Sequence, residues 1–418
     1  MNEYIIGIDV GSSKICAAAG KFDKNGDIQI VGVTSIKCNG IKKGIVVDID
    51  STSESIKNCI FQLEGIIDYK IDEVFISLPV CISEIIDNKG VVAVSSEDRE
   101  IKKSDVERVL KAAKIITVNS DKEIIGLIPE QYIVDGFDRI KDPIGMSGLR
   151  LEVDAKVILS QTTVINNLFK SINKADIKVR GIVYEPLALS EVLIEKEEKE
   201  IGTAIIDAGA ETIDISIFKN GVIKFADAIP YGGNIITNDI SVCLKLPFSE
   251  AEKIKLKYGD IKNDNNVSKS KISVKASYNN AIEIDQNLLI EIINARVEEL
   301  LSIINNKIIQ SGYKNEISGV TITGGAISFM TNIDILAEKI LDKPVRIGVP
   351  HFVGSSNPMY SCGIGIVKEA SESFKNSYLT NKSNEKKSKD VLNDEDMGEE
   401  EGKSGFLAKI KEFFTEFF

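Results

Sequence analysis

Apolar runs rich in Ile, Val and Ala alternate along this chain with short glycine turns and with apolar residues at helical spacing. Residues 4–10 form one such run. It carries Asp9 near its end, breaks at Gly11, Ser12, Ser13 and Lys14, and resumes apolar to Ala19. Two apolar stretches around a small polar turn predict a β-hairpin. The pattern returns after Gly202, where Asp207-x-Gly209 follows a similar apolar strand. Downstream, Asn25-Gly26 is matched by Asn220-Gly221, each a two-residue hairpin signal before another apolar strand. A repeat of strand, Asp-x-Gly turn, strand, Asn-Gly turn, strand predicts two similar lobes.

The intervening segments alternate between helical and strand patterns. Ser51 and Glu54 fit a capping box ahead of Ile56, Cys59, Ile60, Leu63 and Ile67 at helical spacing. Residues 73–79 predict a buried strand. From about 81 to 159 the texture changes. Short strands at 90–94, 123–128, 131–134 and 151–158 surround one helix with Ser104 and Glu107 as its cap and Val106, Val109, Leu110 and Ala113 as its apolar face. Several strands with one helix predict a small α+β insert. A helix follows at 162–175, with Ile165, Leu168, Phe169 and Ile172 on one side, then a strand at 179–184. That strand leads into Glu185-Pro186, and proline suits the first turn of a helix.

The stretch from 229 to about 285 reads as mostly helical and polar, with an amphipathic helix at 249–258 closed by Gly259 and an exposed loop at 261–271. Residues 286–310 predict a long helix with Leu289, Ile292, Ile293, Val297, Leu300, Leu301, Ile304 and Ile308, closed by Gly312. Residues 319–325 run from a strand into Gly324-Gly325 and then a helix. Past Ala370 hydrophobic residues become scarce and charge runs appear, as in Lys386-Lys-Ser-Lys389 and Asp394-Glu-Asp396. This predicts a disordered linker over 373–404, with a reach of roughly 30 Å as a flexible coil. The last stretch, 405–418, is its opposite. At 100° per residue, Phe406, Leu407, Ile410, Phe413, Phe414, Phe417 and Phe418 fall in one arc of about 140°. Fourteen residues span roughly 21 Å, too short to cross a bilayer and long enough to lie in its surface.

Composition narrows the picture. With 418 residues, 43% of them hydrophobic and 27% charged, the chain can build two to four subdomains with real cores. A net charge of −12 argues against nucleic acid as a main partner. The six cysteines, Cys16, Cys38, Cys59, Cys81, Cys243 and Cys362, are scattered without a Cys-x-x-Cys pair, so structural zinc and disulfides are not expected and a reducing cytoplasm is. The single histidine, His351, has no companion for a His-centred site. No basic region leads into an apolar core at the N-terminus, and no run of about 20 apolar residues appears.

The candidate chemistry lies in the turns. Glycine at 11 lets backbone approach a ligand closely, and backbone N–H groups, serine hydroxyls and the Lys14 ammonium suit phosphate oxygens. Asp9 can hold a hydrated Mg²⁺ that binds phosphate. Gly324-Gly325 removes side chains where a flat ring or a phosphate can lie. Two Asp-x-Gly turns facing each other over one polyphosphate is the layout of actin-like nucleotide-binding proteins, and this resemblance supplies the facing geometry.

Further stretches make the resemblance specific. They are Gly40-Ile-Lys-Lys-Gly-Ile-Val-Val-Asp48, Gly90-Val-Val-Ala-Val94, Asp98-Arg-Glu-Ile101, Asp105-Val-Glu-Arg-Val-Leu110, Ile128-Pro-Glu-Gln-Tyr-Ile-Val-Asp-Gly136 and Gly145-Met-Ser-Gly-Leu-Arg-Leu-Glu152. Glu185-Pro-Leu-Ala188, Ile229-Pro-Tyr-Gly-Gly-Asn-Ile-Ile-Thr-Asn-Asp239 and Glu250-Ala-Glu-Lys-Ile-Lys-Leu-Lys-Tyr-Gly259 follow in the same order, ahead of the terminal amphipathic segment. Over nearly the whole ordered chain the sequence resembles the FtsA family of bacterial cell-division proteins.

The resemblance implies an α/β, actin-like (ribonuclease H-like) two-lobed fold with a small α+β insert in the first lobe. It implies an actin-like part of the first lobe at 1–79, 160–200 and 355–372, with the insert at 80–159. The second lobe would comprise an actin-like part at 201–228 and 312–354 and a smaller part at 229–311. It also implies ATP with Mg²⁺ in the cleft, self-assembly into protofilaments, and attachment of the last helix to membrane lipid. Capture of the FtsZ C-terminal tail, contacts with other division proteins, and a place on the cytoplasmic face of the membrane at the division site follow from it too.

By family position Asp9, Gly11, Ser12, Ser13 and Lys14 face phosphate and metal, and Asp207, Gly209 and Thr212 do so from the other side. Asp9 and Asp207 would hold Mg²⁺ through water. Gly324 and Gly325 would sit by the adenosine, Glu252 and Lys255 would reach ribose and base, and Arg296 is a candidate for an acidic tail. Glu185 would orient attacking water or cap its own helix. The second turn departs from the family pattern, because Ala210 and Glu211 stand where relatives carry glycine. A carboxylate beside phosphates is repulsive unless offset or turned away. Slow turnover of ATP is therefore expected. The alternative of a small-molecule kinase on the same superfold requires a general base and a closed acceptor pocket, neither of which is legible. A heat-shock chaperone would require a β-rich peptide-binding domain after the second lobe. An adaptor of pilus assembly is disfavoured by the terminal segment and by residues 250–259.

Overall fold

The computed structural model describes residues 4–261, 271–275, 281–350, 352 and 356–372. The chain opens with β1 (Tyr4–Val10), β2 (Lys14–Phe22), β3 (Ile28–Lys37) and the short hairpin β4 (Ile41–Lys42) and β5 (Ile45–Val46). Helix α1 (Ile49–Ile67) and β6 (Glu73–Leu78) follow. The insert contributes β7 (Ser83–Ala93), α2 (Lys103–Ala113), β8 (Lys122–Val134), β9 (Phe137–Ile140) and β10 (Arg150–Gln161). The chain then returns through α3 (Thr162–Lys174), β11 (Lys178–Tyr184), α4 (Glu185–Leu193) and α5 (Lys196–Ile201). The second lobe comprises β12 (Thr203–Ala208), β13 (Ile213–Lys219), β14 (Val222–Ile229), α6 (Gly233–Leu244), α7 (Phe248–Tyr258), β15 (Lys271–Lys275) and β16 (Ala281–Asp285). It ends with α8 (Gln286–Gln310), β17 (Gly319–Thr323), α9 (Ile333–Leu341) and β18 (Val345–Ile347).

The repeat seen in the sequence is a repeat of topology. One five-stranded sheet runs β3-β2-β1-β6-β11 and another runs β14-β13-β12-β17-β18. In each, the first three strands are antiparallel neighbours and the last two are added in parallel after helical crossovers. The central strands β1 and β12 are buried along most of their length, as their near-continuous apolar runs require. The first sheet has its own core with α1, α3 and α4. It also takes in Ile364, Ile366 and Val367 from the last described helix, residues 361–372. The second sheet packs with α6, α8 and α9 around Ile206, Ile215, Leu301 and Ile322. The insert keeps a separate core of Val109, Leu110, Leu127, Val153 and Val157 under a four-stranded sheet ordered β7-β10-β8-β9.

Several local expectations are corrected. Helix α1 begins at Ile49 and its cap is Asp48, whose carboxylate accepts the N–H groups of Asp50 and Ser51 at 3.0 Å each. Ser51 and Glu54 therefore lie inside the helix, since a short carboxylate three residues earlier already serves its free N–H groups. In α2 the residue at the third helical position is Asp105, which accepts the Lys102 N–H at 3.0 Å, so Ser104 and Glu107 form no box. Strands 123–128 and 131–134 are one strand, β8, because a bulge at Glu130 lets Pro129 remain in the sheet without a ladder donor.

Only the second Asn-Gly pair makes a two-residue turn, with Asn220 at φ +56° and Gly221 at +80°. Around Asn25, the Asp23 carboxylate accepts the Asn25 and Asp27 N–H groups at 2.7 and 3.0 Å and holds a longer loop between β2 and β3. The stretch 271–285 contains the hairpin β15–β16 rather than a polar helix. After Gly325 the chain makes turns, and α9 starts only at Ile333. Helix α8 has the predicted bounds, and Gly312, at φ +80°, follows its last turn. The loop expected at 261–271 falls almost wholly outside the described residues. His351, the linker at 373–404 and the amphipathic segment 405–418 with its seven apolar residues also lie outside them. Among the described residues no helix is long and apolar enough to cross a membrane.

Candidate nucleotide site

The two Asp-x-Gly turns are built alike. In the first, Asp9 pairs with Cys16 across the β1–β2 hairpin and the Gly11 N–H donates to the Lys14 carbonyl at 3.1 Å. In the second, Asp207 pairs with Asp214 across β12–β13 and the Gly209 N–H donates to the Thr212 carbonyl at 2.9 Å. A Cβ at Gly11 or Gly209 would stand 3.0 Å from that same carbonyl, so both tight turns favour glycine. The N-terminal end of α6 is fastened on the second turn, where the Gly233 and Asn234 N–H groups donate to the carbonyls of Gly209 and Ala210 at 3.0 and 2.8 Å.

The turns meet between the lobes. Lys14 reaches across to the second lobe, where a Cβ on Gly325 would lie 3.2 Å from its ammonium. Gly324, at φ +90°, leaves room for Asp207, since a Cβ there would be 2.3 Å from Asp207 Oδ1. Glu185, the first residue of α4, is only 7% exposed and lies close enough to Asp207 for that charge to act on it. Ligand atoms of Asp9, Glu185 and Cys362 lie within 4.8 Å of one another. Ser77, at the end of β6, donates its hydroxyl to Asp9 Oδ1 at 2.9 Å.

This crowding of carboxylates controls their titration. Burial, then the charge of Asp207, raises the Asp9 carboxyl above its usual range, although Ser77 and Lys14 oppose the shift. Burial, then Asp207 and Asp9, raises Glu185 well above its own. Asp214 is pushed up to about 7 by burial and by Asp207, against the Val80 and Cys81 N–H groups that donate to its Oδ2 at 2.9 and 3.4 Å. Its other oxygen, Oδ1, is buried without a hydrogen-bond partner. Buried acids that hold their protons this firmly mark a place where a cation fits.

Of the residues expected from the sequence, Asp9, Lys14, Asp207, Glu185, Gly324 and Gly325 therefore converge. Gly11, Ser12, Ser13, Gly209 and Thr212 form the two turns beside them. Lys255 is 3% exposed, donates to the Gly233 carbonyl at 3.1 Å and Thr237 Oγ1 at 2.8 Å, and pairs with Glu252 at 2.7 Å. Burial lowers its pKa. Gly233 in turn abuts Ala326, so this pair adjoins the 324–326 turn. Glu211 Oε2 accepts the Lys43 N–H at 2.6 Å, so its carboxylate is engaged by the first lobe's backbone. Arg296 lies elsewhere, on α8, ion-paired to Asp239 at 2.5 Å and to Glu299. Ser77, Asp214 and Cys362 were not singled out from the sequence. Only Asp214 had a usable signal, its position directly opposite Asp207 in the predicted hairpin.

Comparison with known proteins agrees with this architecture. The family model described as "Cell division protein FtsA" matches residues 204–365, and that of the "SHS2 domain inserted in FTSA" matches 83–159. The chain is 34% identical over 370 residues to the cell division protein FtsA of Bacillus subtilis (strain 168), covering 88% of this chain and 84% of that one. It is 32% identical over 372 residues to FtsA of Pseudomonas aeruginosa, covering 87% and 88%. Among solved structures, a type IV pilus biogenesis complex, PilM-PilN, superposes with a TM-score of 0.62 at 13% identity, covering 88% of this chain and 98% of that one. MreB5 of Spiroplasma citri bound to ADP gives 0.52 at 13% identity, covering 90% and 98%. These likenesses show the actin-like fold, and the relatives show the lineage: the chain belongs to the FtsA family of cell division proteins.

Proposed function

We propose that this chain binds ATP with Mg²⁺ between its lobes, polymerises, and tethers FtsZ filaments to the inner face of the cytoplasmic membrane at the division site. The observation that carries the nucleotide part is the meeting of two identically built Asp-x-Gly turns at one buried carboxylate cluster, with Lys14 reaching from one lobe to the other. Oxygen donors suit Mg²⁺, and the upward shift of Asp9, Glu185 and Asp214, caused by burial and by neighbouring carboxylate charge, fits a site that is completed by positive charge. Mg²⁺ held there would supply the charge that offsets both the carboxylates and a triphosphate.

Around it, Asp9 and Asp207 would hold the metal through water, and the two turns would present backbone N–H groups to phosphate. Glu185 would orient a water, but it gives up its proton only well above the usual carboxylate range. It is therefore a poor proton acceptor until the cluster is neutralised, which favours slow turnover. Glu252 and Lys255, beside the 324–326 turn, take the ribose and base. An acidic FtsZ tail would compete with Asp239 and Glu299 for Arg296. The apolar arc of 405–418 supports the lipid contact.

The test is Asp207→Ala. ATP affinity, titrated with a fluorescent analogue, is expected to fall at least tenfold, about 1.4 kcal/mol, with loss of sedimentable filaments. Wild-type affinity in this variant would refute the two-turn clamp.

A further inference from the structure

A third turn lies across the two phosphate-facing ones. It is the tip of hairpin β4–β5, where Lys43 at φ +48° and Gly44 at φ +75° are both left-handed. That backbone aims two successive N–H groups outward. The Gly44 N–H donates to Ser12 Oγ at 3.2 Å, on the first lobe's turn. The Lys43 N–H donates to Glu211 Oε2 at 2.6 Å, on the second lobe's turn. Behind the tip, the Cys81 thiol donates to the Lys43 carbonyl at 3.6 Å, and a Cβ on Gly44 would meet Cys81 Sγ at 2.7 Å, so the tip is seated rather than free. The chain thus ties Ser12, Lys43-Gly44 and Glu211 in one row spanning both lobes.

We propose that Glu211 is a latch: its carboxylate fastens the Lys43-Gly44 tip across the cleft and thereby slows release of the bound nucleotide. The inference rests on the ATP-binding reading of the cleft and concerns its exchange. A ligand between turns 11–14 and 209–212 leaves when the lobes part, and parting stretches the Lys43–Glu211 bond. A charged acceptor makes this bond stronger than a neutral pair. Its position also bears on why a carboxylate is tolerated on this turn, since one of its oxygens is engaged by a backbone N–H. Glu211 does not touch the reacting atoms in this arrangement, so it is a positioning residue.

Two readouts in the full chain test the latch. In Glu211→Ala, release of a fluorescent ATP analogue, chased with excess ATP in stopped flow, is expected to be about tenfold faster than wild type. Hydrogen exchange at the Lys43 amide is expected to accelerate by a similar factor. Glu211→Gln keeps a side-chain oxygen able to accept and is expected to stay within about threefold of wild type in both. Near-UV circular dichroism checks that the variants are folded. A wild-type release rate in Glu211→Ala overturns the gate, and an unchanged Lys43 exchange rate overturns the latch itself. A wild-type protein that binds no analogue refutes the nucleotide reading and the gate with it, while the amide measurement still decides whether Glu211 holds the tip.

Discussion

Gly324→Ala is expected to destabilise the fold and disable the cleft, and Gly325→Ala, one residue on, is expected to leave fold stability nearly unchanged. Gly324 has φ +90°, where an alanine pays about 1–2 kcal/mol for its Cβ. The new Cβ would stand 2.3 Å from Asp207 Oδ1 and 2.5 Å from the Ala208 carbonyl oxygen, distances that real Cβ atoms do not tolerate. The carboxylate must rotate away. The carbonyl, which accepts the Ala326 N–H at 2.9 Å, must shift with its strand. Such overpacking costs about 1–3 kcal/mol, so the total is about 2–5 kcal/mol. At Gly325 the nearest atom is the flexible end of Lys14 at 3.2 Å, and φ is not positive, so the cost is below about 0.5 kcal/mol. A thermal melt should show Gly324→Ala lowered by roughly 2–6 °C and Gly325→Ala within about 1 °C of wild type. Titration with the ATP analogue should show a loss of tenfold or more in Gly324→Ala. If both variants melt and bind alike, Asp207 does not occupy the space that Gly324 vacates and the site is wrongly drawn.

Two further outcomes follow from the same geometry. In the folded chain Asp214 holds its proton up to about pH 7, whereas unfolded it loses it near the ordinary value of an exposed carboxyl, 3.8. The folded state therefore binds the extra proton between these values, and stability falls as pH rises through that window and stays lower above it. In EDTA, Asp214→Asn should thus gain urea resistance over wild type at pH 8 and little at pH 4; a difference independent of pH would contradict the burial argument. Deletion of residues 405–418 should abolish co-sedimentation with liposomes, and undiminished pelleting would remove the anchor from the proposal.

The repeated hairpins, helix α8 with its closing glycine and the buried β6 were all readable, because each is encoded within a dozen or so neighbouring residues by apolar period, turn chemistry or caps. Errors arose where a stronger partner stood just outside the window. Asp48 displaced Ser51 as a cap, and in α2 the cap position falls at Lys102, whose N–H bonds Asp105, rather than at Ser104. The local pattern separates 123–128 from 131–134, yet a partner strand that skips Glu130 keeps Pro129 in register and joins them. The hairpin at 271–285 was lost to its polar composition. At the site, the two turns were visible as sequence, while their facing arrangement came from likeness to actin-like proteins.

The meeting of Ser77, Glu185, Asp214 and Cys362 around Asp9 and Asp207 had no counterpart in any local pattern. Those six groups come from five strands or helix starts and the final helix, as much as 353 positions apart (9 to 362). Periodicity and turn propensity act over a few residues and so dictated the strands, the bends and the helices. Which acid stands beside which, how far burial raises its pKa, and that Glu211 turns toward Lys43 depend on sheet pairing and lobe packing. Those are set by long-range burial of apolar faces, which no short stretch of the chain encodes.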